Sequence, residues 1–526
     1  MAPNKKIHLN FFDVSCAGNH MGIGLWKCQR APGDNSRSKD TVEYYTWLAK
    51  LAEKGKITTI FFADVYGTEE TYGGNSDASF YAGATVAAMD PVVWVSAMAA
   101  VTKSVGFGIT GSTSYLTPYI LARTWATLDH ATKGRIGWNV VTSYGSAAAK
   151  AMGKESATPH DQRYDEAHEY MELIYSLLEG SWEPGAQIWD PAVGAYDGSK
   201  IHKITFNGQY HHASGIQQAM PGPQRTPVLF QAGSSSAGKN FGAKHAEALF
   251  IGGRTPAGVA PFVKEMRAAA VKHGRAASEL KFFPQITPIL GRTLEEARAK
   301  YEDFKKLADW RGGLVKLSSF LGVDLSQFPV DEPFDFAASG GNSQIHTMFE
   351  TIKSVTKNLG EGSVTPRQLG AEFAFCGFAN MPVGTPEMVA DVIEEWANVA
   401  DIDGFNVAYV SNPGSYEDIV ELLVPVLQER GLMWKDYAVP GGTLRENLHE
   451  RPGMPYMPEE HTAAKFQYEK LKEWAEIDGH GDVTIDKRPK ESKGANGVEE
   501  ASVGLKNATV GDKMDEMKTE PAKVQA

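Results

Sequence analysis

Cysteine is scarce. The three in this 526-residue chain, Cys16, Cys28 and Cys376, are too few and too widely spaced for a disulfide framework or a cysteine-based zinc site, so a reducing compartment is expected. No stretch approaches the roughly 18 consecutive apolar residues of a membrane span. The opening MAPNKKIHLNFFDVSC lacks the apolar core of a secretory signal, and the closing KVQA matches no retention or peroxisomal address. A cytoplasmic location away from membranes follows as the expectation. Positive charge is also short: 52 Lys and Arg against 64 Asp and Glu give a net charge of -12, which argues against nucleic acid as a partner. The H-E-x-x-H spacing is missing, and His211 and His212, being adjacent, would point to opposite faces of a strand; no metal is expected. Without a G-x-S-x-G elbow, serine-hydrolase chemistry is unsupported as well.

What is present is a large apolar fraction, 42%, arranged as strand-like runs alternating with amphipathic helical segments. The runs cover residues 7–12, 57–63, 105–110, 136–142, 228–232, 248–252, 282–290 and 404–410. Helical segments follow at 41–54, 91–102, 118–131, 161–178, 237–245, 256–273, from 294 onwards, and at 416–430. Eight βα pairs predict an α/β fold of the (β/α)8 TIM-barrel type. Two stretches, about 181–226 and 310–380, are too long for turns and read as insertions folded over the C-terminal face of the barrel. The barrel domain is expected to span residues 1–468. The remaining 469–526, rich in Lys, Glu, Asp, Gly and Ser, has a composition that predicts a disordered tail.

Residues 227–240 read PVLFQAGSSSAGKN: a strand, a Gly/Ser loop, then a helix. Read as G-x-x-x-x-G-K-[ST], the loop has Asn240 where a magnesium-binding hydroxyl belongs. It is either a damaged triphosphate loop or a metal-free site in which backbone N–H groups and Ser234 and Ser235 hold a single phosphate. Other polar residues stand at or beyond strand ends: Asp64, Thr110, Asn139 and Ser143. Each alone has the plain explanation of a helix cap; on successive barrel strands they converge on the end where sites form. His20 lies in a Gly-flanked loop after the first strand, as either an ordinary hydrogen-bonded loop histidine or an acid/base. His160 and Tyr164 are one helical turn apart, suited to gripping a phosphate or ring.

The runs ADVYG (63–67), PYILAR (118–123), TLDH (127–130), GRIGWNVVTS (134–143), HDQRY (160–164) and QAGSS (231–235) resemble the bacterial-luciferase-like flavin monooxygenases. They are most similar to the branch holding nitrilotriacetate, dibenzothiophene-sulfone and long-chain alkane monooxygenases. GTPEMVAD (384–391), DGFN (403–406), PVLQERG (425–431) and TLREN (443–447) extend the likeness over residues 7–448. The resemblance implies a TIM barrel that takes reduced FMN from a separate NAD(P)H-dependent flavin reductase. With O2 as co-substrate it would oxygenate a small organic substrate through a C4a-peroxyflavin, in a homodimer or homotetramer. The family's flavin site falls on Asp64, Thr110, His160, Tyr164 and Ser235, with Ser234 adjacent and Asn139 joining Thr110 at the isoalloxazine edge. His20 takes the place of the family's first-loop histidine, with an acid/base or peroxide-orienting role. Where the branch sometimes carries histidine after Val-Val-Thr-Ser, this chain has Tyr144, so the alkane enzyme's substrate does not transfer directly. In this setting the 233–240 loop reads as a monophosphate site. A hydride-transferring flavin or deazaflavin oxidoreductase on the same barrel, and a non-catalytic flavin or nucleotide binder, stay open as alternatives.

Overall fold

Alternation of side chains along each strand sorts one set under the surrounding helices and the other into the barrel axis. Leu9 and Phe11 belong to the outer core, whereas Phe12 packs with Phe61, Phe230, Phe250 and Phe283 inside. In the computed structural model, which describes residues 5–16, 22–28, 36–333 and 364–488, eight parallel strands carry this pattern. They are His8–Val14 (β1), Thr59–Ala63 (β2), Gly106–Ser112 (β3), Ile136–Val141 (β4), Val228–Gln231 (β5), Ala248–Ile251 (β6), Lys281–Ile286 (β7) and Gly404–Val407 (β8). Each pairs with its sequence neighbours and β8 closes onto β1, with Asn10 opposite Asn406. The (β/α)8 barrel is therefore as the sequence predicts. Gly137 on β4 is required by this packing, because any Cβ there would collide with the Phe230 ring.

Around the barrel lie Val42–Lys54 (α1), Val92–Ala100 (α2), Pro118–Thr132 (α3), His160–Tyr175 (α4), Ser236–His245 (α5), Pro256–Lys272 (α6) and Pro386–Ala400 (α7). After β8 come Gly414–Asp418, a π-helical turn over Ile419–Leu423, and Val424–Glu429. The seventh barrel helix is α7, packed against α6, and not the segment from residue 294. Burial explains the difference. Helix Leu294–Leu307 buries only Ala297 and Phe304, whereas α7 buries Val389, Ile393 and Trp396 in the main core. None of the described helices is long and apolar enough to cross a membrane.

At the N-terminal end of the barrel, helix Leu444–His449 inserts Leu444 and Leu448 among the interior phenylalanines. The barrel floor is thus sealed, and the site is left to the opposite end. The two insertions differ. Trp310–Leu321 packs against Pro366–Ala374 as a small satellite core; residues 334–363 of this insertion lie outside the described residues. Residues 181–226 form two hairpins seated along α3 and α4. There Tyr119 donates to the Ile216 carbonyl at 2.8 Å, and Glu169 accepts the N–H groups of Gln209, Tyr210 and His211.

The boundary expected near residue 468 falls too early. Val483–Asp486 runs parallel to Ile204–Asn207, and Val483 and Ile485 are buried. Composition misses this strand because two apolar residues at i and i+2 are enough to cover one face of a small sheet, too few to move a charged window. Ile485→Ala is expected to lower stability by about 2 kcal/mol, read as a shift of the urea midpoint; an unchanged midpoint would mean that the strand adds nothing to the fold.

Candidate active site

The C-terminal ends of β2, β3, β4 and β5 deliver polar groups to a cavity of about 780 Å3 at that face of the barrel. From β3, the Thr110 hydroxyl donates to the Phe62 carbonyl at 3.0 Å and accepts from Asn139 Nδ2 of β4 at 2.8 Å. That leaves Asn139 Oδ1, a buried acceptor, with no partner among the described residues. A buried acceptor in this condition is costly unless a ligand supplies a donor. The wall therefore suits a heterocycle bearing a ring N–H.

Asp64, after β2, accepts the N–H of Val65 at 2.8 Å. Burial, with a smaller push from Asp90, raises its carboxyl to about 7. Near neutral pH this group both holds and releases a proton. The sign for stability follows: the folded carboxyl prefers its proton, the unfolded one at its ordinary 3.8 does not, so this group subtracts from stability increasingly as pH rises from about 4 to 7. Asp64→Asn is expected to raise the melting temperature at pH 8 by a few degrees and to leave it nearly unchanged at pH 4, as measured by calorimetry; equal shifts at both pH values would contradict the assignment.

The phosphate-type loop is built by α4 and α5 together. Ser235 caps α5, its Oγ accepting the Gly238 N–H at 3.1 Å. The Tyr164 hydroxyl on α4 is within hydrogen-bonding reach of the Ser235 and Thr142 side chains. Gly233 and Gly238 close around that hydroxyl; a Cβ on Gly233 would stand 2.5 Å from it. His160, whose Nδ1 is 2.7 Å from Asp161 Oδ1, packs edge-on to Tyr164 with ring centroids 5.3 Å apart. The helix N-terminus and serine hydroxyls form a cradle for an anion.

All seven residues expected to bind cofactor, Asp64, Thr110, Asn139, His160, Tyr164, Ser234 and Ser235, line this one cavity. His20 lies outside the described residues. Ser143, Arg163 and Lys316 line the cavity as well; the sequence offers Ser143 as a strand-end polar residue and gives Arg163 and Lys316 no role. Ser143 has a left-handed backbone, φ 38°, and its Oγ donates to Ser112 Oγ at 2.8 Å. Arg163 donates to the Ser143 carbonyl at 2.7 Å. Opposite them Lys316 of the second insertion is buried and ion-paired with Glu69, and Phe320 and Ser319 of the same helix complete that wall. The second insertion thus forms part of the cavity, while the first, 181–226, contributes no residue to its wall. Left-handed backbone at Ser143 is strain that local sequence does not announce.

The luciferase-like monooxygenase family matches residues 21–401. The long-chain alkane monooxygenase of Geobacillus thermodenitrificans is 39% identical over 464 residues, 88% of this chain and 98% of that protein. The dimethyl-sulfide monooxygenase of Hyphomicrobium sulfonivorans is 37% identical over 88% of this chain and 94% of its own. The crystal structure of DmoA from Hyphomicrobium sulfonivorans superposes with a TM-score of 0.81 at 35% identity, covering 90% of this chain and all of that one. Sequence, barrel and cavity lead to one conclusion: the chain belongs to the luciferase-like monooxygenase family.

Proposed function

We propose that the cavity binds reduced FMN and that the protein is the oxygenase half of a two-component monooxygenase, supplied by a separate NAD(P)H-dependent flavin reductase. One observation carries this reading. An anion cradle (Ser234, Ser235, Tyr164) and a buried acceptor without a partner among the described residues (Asn139 Oδ1) line one cavity, matching a ligand with a phosphate at one end and a ring N–H at the other. Bound reduced flavin supplies the oxygen chemistry; the protein's part is binding, orientation and exclusion of water. Thr110 orients Asn139, so that Oδ1 meets a ring donor at a fixed angle. Asp64 holds or accepts a proton at its free carboxylate oxygen close to neutral pH. Glu69 and Lys316 tie the loop after β2 to the second insertion, keeping bulk water from that side.

The substrate is a small organic molecule seated between this ion pair, Phe320 and Tyr144. The polar Tyr144 and the buried ion pair make a wall unlike a purely apolar channel. Oxygen uptake with an added FMN reductase and NADH, across amines, sulfones and alkanes, tests the reading. Substrate-dependent oxygenated product is expected. Consumption that yields only peroxide with every class, or turnover that persists without oxygen, would refute it.

A further inference from the structure

Arg163 is 5% exposed, lines the cavity, and stands one residue before Tyr164 and three after His160. The spacing i, i+3, i+4 puts all three on one face of α4. Among the described residues the guanidinium makes one hydrogen bond, from Nη1 to the Ser143 carbonyl; its Nε finds no acceptor and no carboxylate is ion-paired with it. The contrast within the cavity is sharp. Lys316 has Glu69 beside it, whereas Arg163 has only neutral tyrosines nearby, Tyr115, Tyr144 and Tyr164, and Glu166 acting from beyond ion-pair distance.

A buried cation without a counter-charge is strongly unfavourable, and burial pulls this guanidinium's proton affinity down. Five donors fixed in a plane, one of them used, suit a tetrahedral oxyanion. The neighbouring groups point to where that anion sits. Ser235 and Thr142 both reach the Tyr164 hydroxyl, and Arg163 holds Ser143, the residue after Thr142. The series Ser235, Tyr164, Thr142, Ser143, Arg163 is thus a continuous arc along the cavity wall, beginning at the capped N-terminus of α5.

Resting on the FMN reading of the site, we infer that Arg163 is the counter-charge of the flavin phosphate, so that the cradle is cationic and selects FMN over riboflavin by charge. Neutral serine donors and the helix dipole alone would leave a phosphate dianion facing a dry wall. Arg163 also accounts for a metal-free phosphate site without the missing hydroxyl at Asn240. Its second effect is on the backbone: holding the Ser143 carbonyl keeps the left-handed turn that presents Tyr144 to the cavity.

Anaerobic equilibrium dialysis against dithionite-reduced FMN and reduced riboflavin tests this, on the full chain and on Arg163→Met and Arg163→Lys. The wild-type chain is expected to favour FMN. Arg163→Met is expected to weaken FMN on the order of 30- to 100-fold while shifting riboflavin by less than about threefold, and Arg163→Lys to recover part of the FMN affinity. Equal losses for both flavins in Arg163→Met would overturn the phosphate assignment and leave a role in holding Ser143. Unchanged FMN affinity would overturn it too, moving the anion from cofactor to substrate. A wild-type chain that binds neither flavin would instead fail the reading of the cavity itself, and the inference with it.

Discussion

Arg445→Met is expected to cost about 3–5 kcal/mol of stability, the loss seen when one partner of a buried ion pair is removed. Arg445, 2% exposed, reaches Glu247 with Nε at 2.8 Å and Nη2 at 3.0 Å, and spends its other donors on the Thr226 and Pro455 carbonyls at 2.8 and 2.6 Å. Glu247 is fully buried. Burial alone would raise its carboxyl; Arg445 and His449 outweigh that and hold it well below the usual carboxylate range. With methionine at 445 the carboxylate keeps only His449 and the Leu229 N–H, and that cannot offset its desolvation. The consequence reaches the site, because this pair pins the helix that plugs the barrel floor beneath Phe230 and Phe61. In the wild type the pair's contribution is present above the ordinary glutamate pKa of 4.5 and is lost as pH falls below it. Urea denaturation measures the effect. Adding Glu247→Gln to the variant is expected to restore part of the loss by removing the stranded charge; a drop below about 1 kcal/mol in the single variant would mean that the pair is not what holds the plug.

Gly233→Val is expected to reduce FMN affinity at least about 100-fold, roughly 2.7 kcal/mol. The first atom of any side chain there meets Gln231 Nε2, stands 2.5 Å from the Tyr164 hydroxyl and 3.0 Å from the Gly238 Cα. Tyr164 is wedged among Phe241 and the loop itself, and the Gly238 backbone belongs to α5, so neither yields easily. A branched residue therefore opens the loop and moves Ser234 and Ser235 off their aim. Fluorescence titration with FMN reads the change, with the melting temperature as a check that the barrel persists. Retained affinity in a folded variant would show that the phosphate sits elsewhere.

The barrel was legible because eight apolar runs alternate with helical ones and each strand needs only a period of two to be seen. That the seven proposed positions would share one cavity was legible in two ways: Asp64, Thr110, Asn139, Ser234 and Ser235 stand out as polar groups at or just beyond strand ends, and His160 and Tyr164 came with the family resemblance. What escaped depends on tertiary pairing. Arg163 sits inside the HDQRY run in plain view, yet its meaning lies in the carboxylate that is not beside it. Glu247 and Arg445 are far apart in the chain and ordinary in composition. Ser143 adopts a left-handed turn that nothing in Val-Val-Thr-Ser foretells, since Ser112 and Arg163 impose it. Helix Leu294–Leu307 has the periodicity of a barrel helix, and only packing shows that α7 takes that place. The strand at Val483–Asp486 was hidden by charged neighbours.

The claim on which the rest depends is that this cavity is a flavin site. Anaerobic equilibrium dialysis of the purified chain against reduced FMN, and in parallel against ATP with magnesium, tests it most directly. The account predicts saturable binding of a single FMN per chain, abolished by Gly233→Val, with no measurable ATP binding. Tight ATP binding without affinity for flavin would contradict it, and would return the Gly233–Asn240 loop to a nucleotide triphosphate.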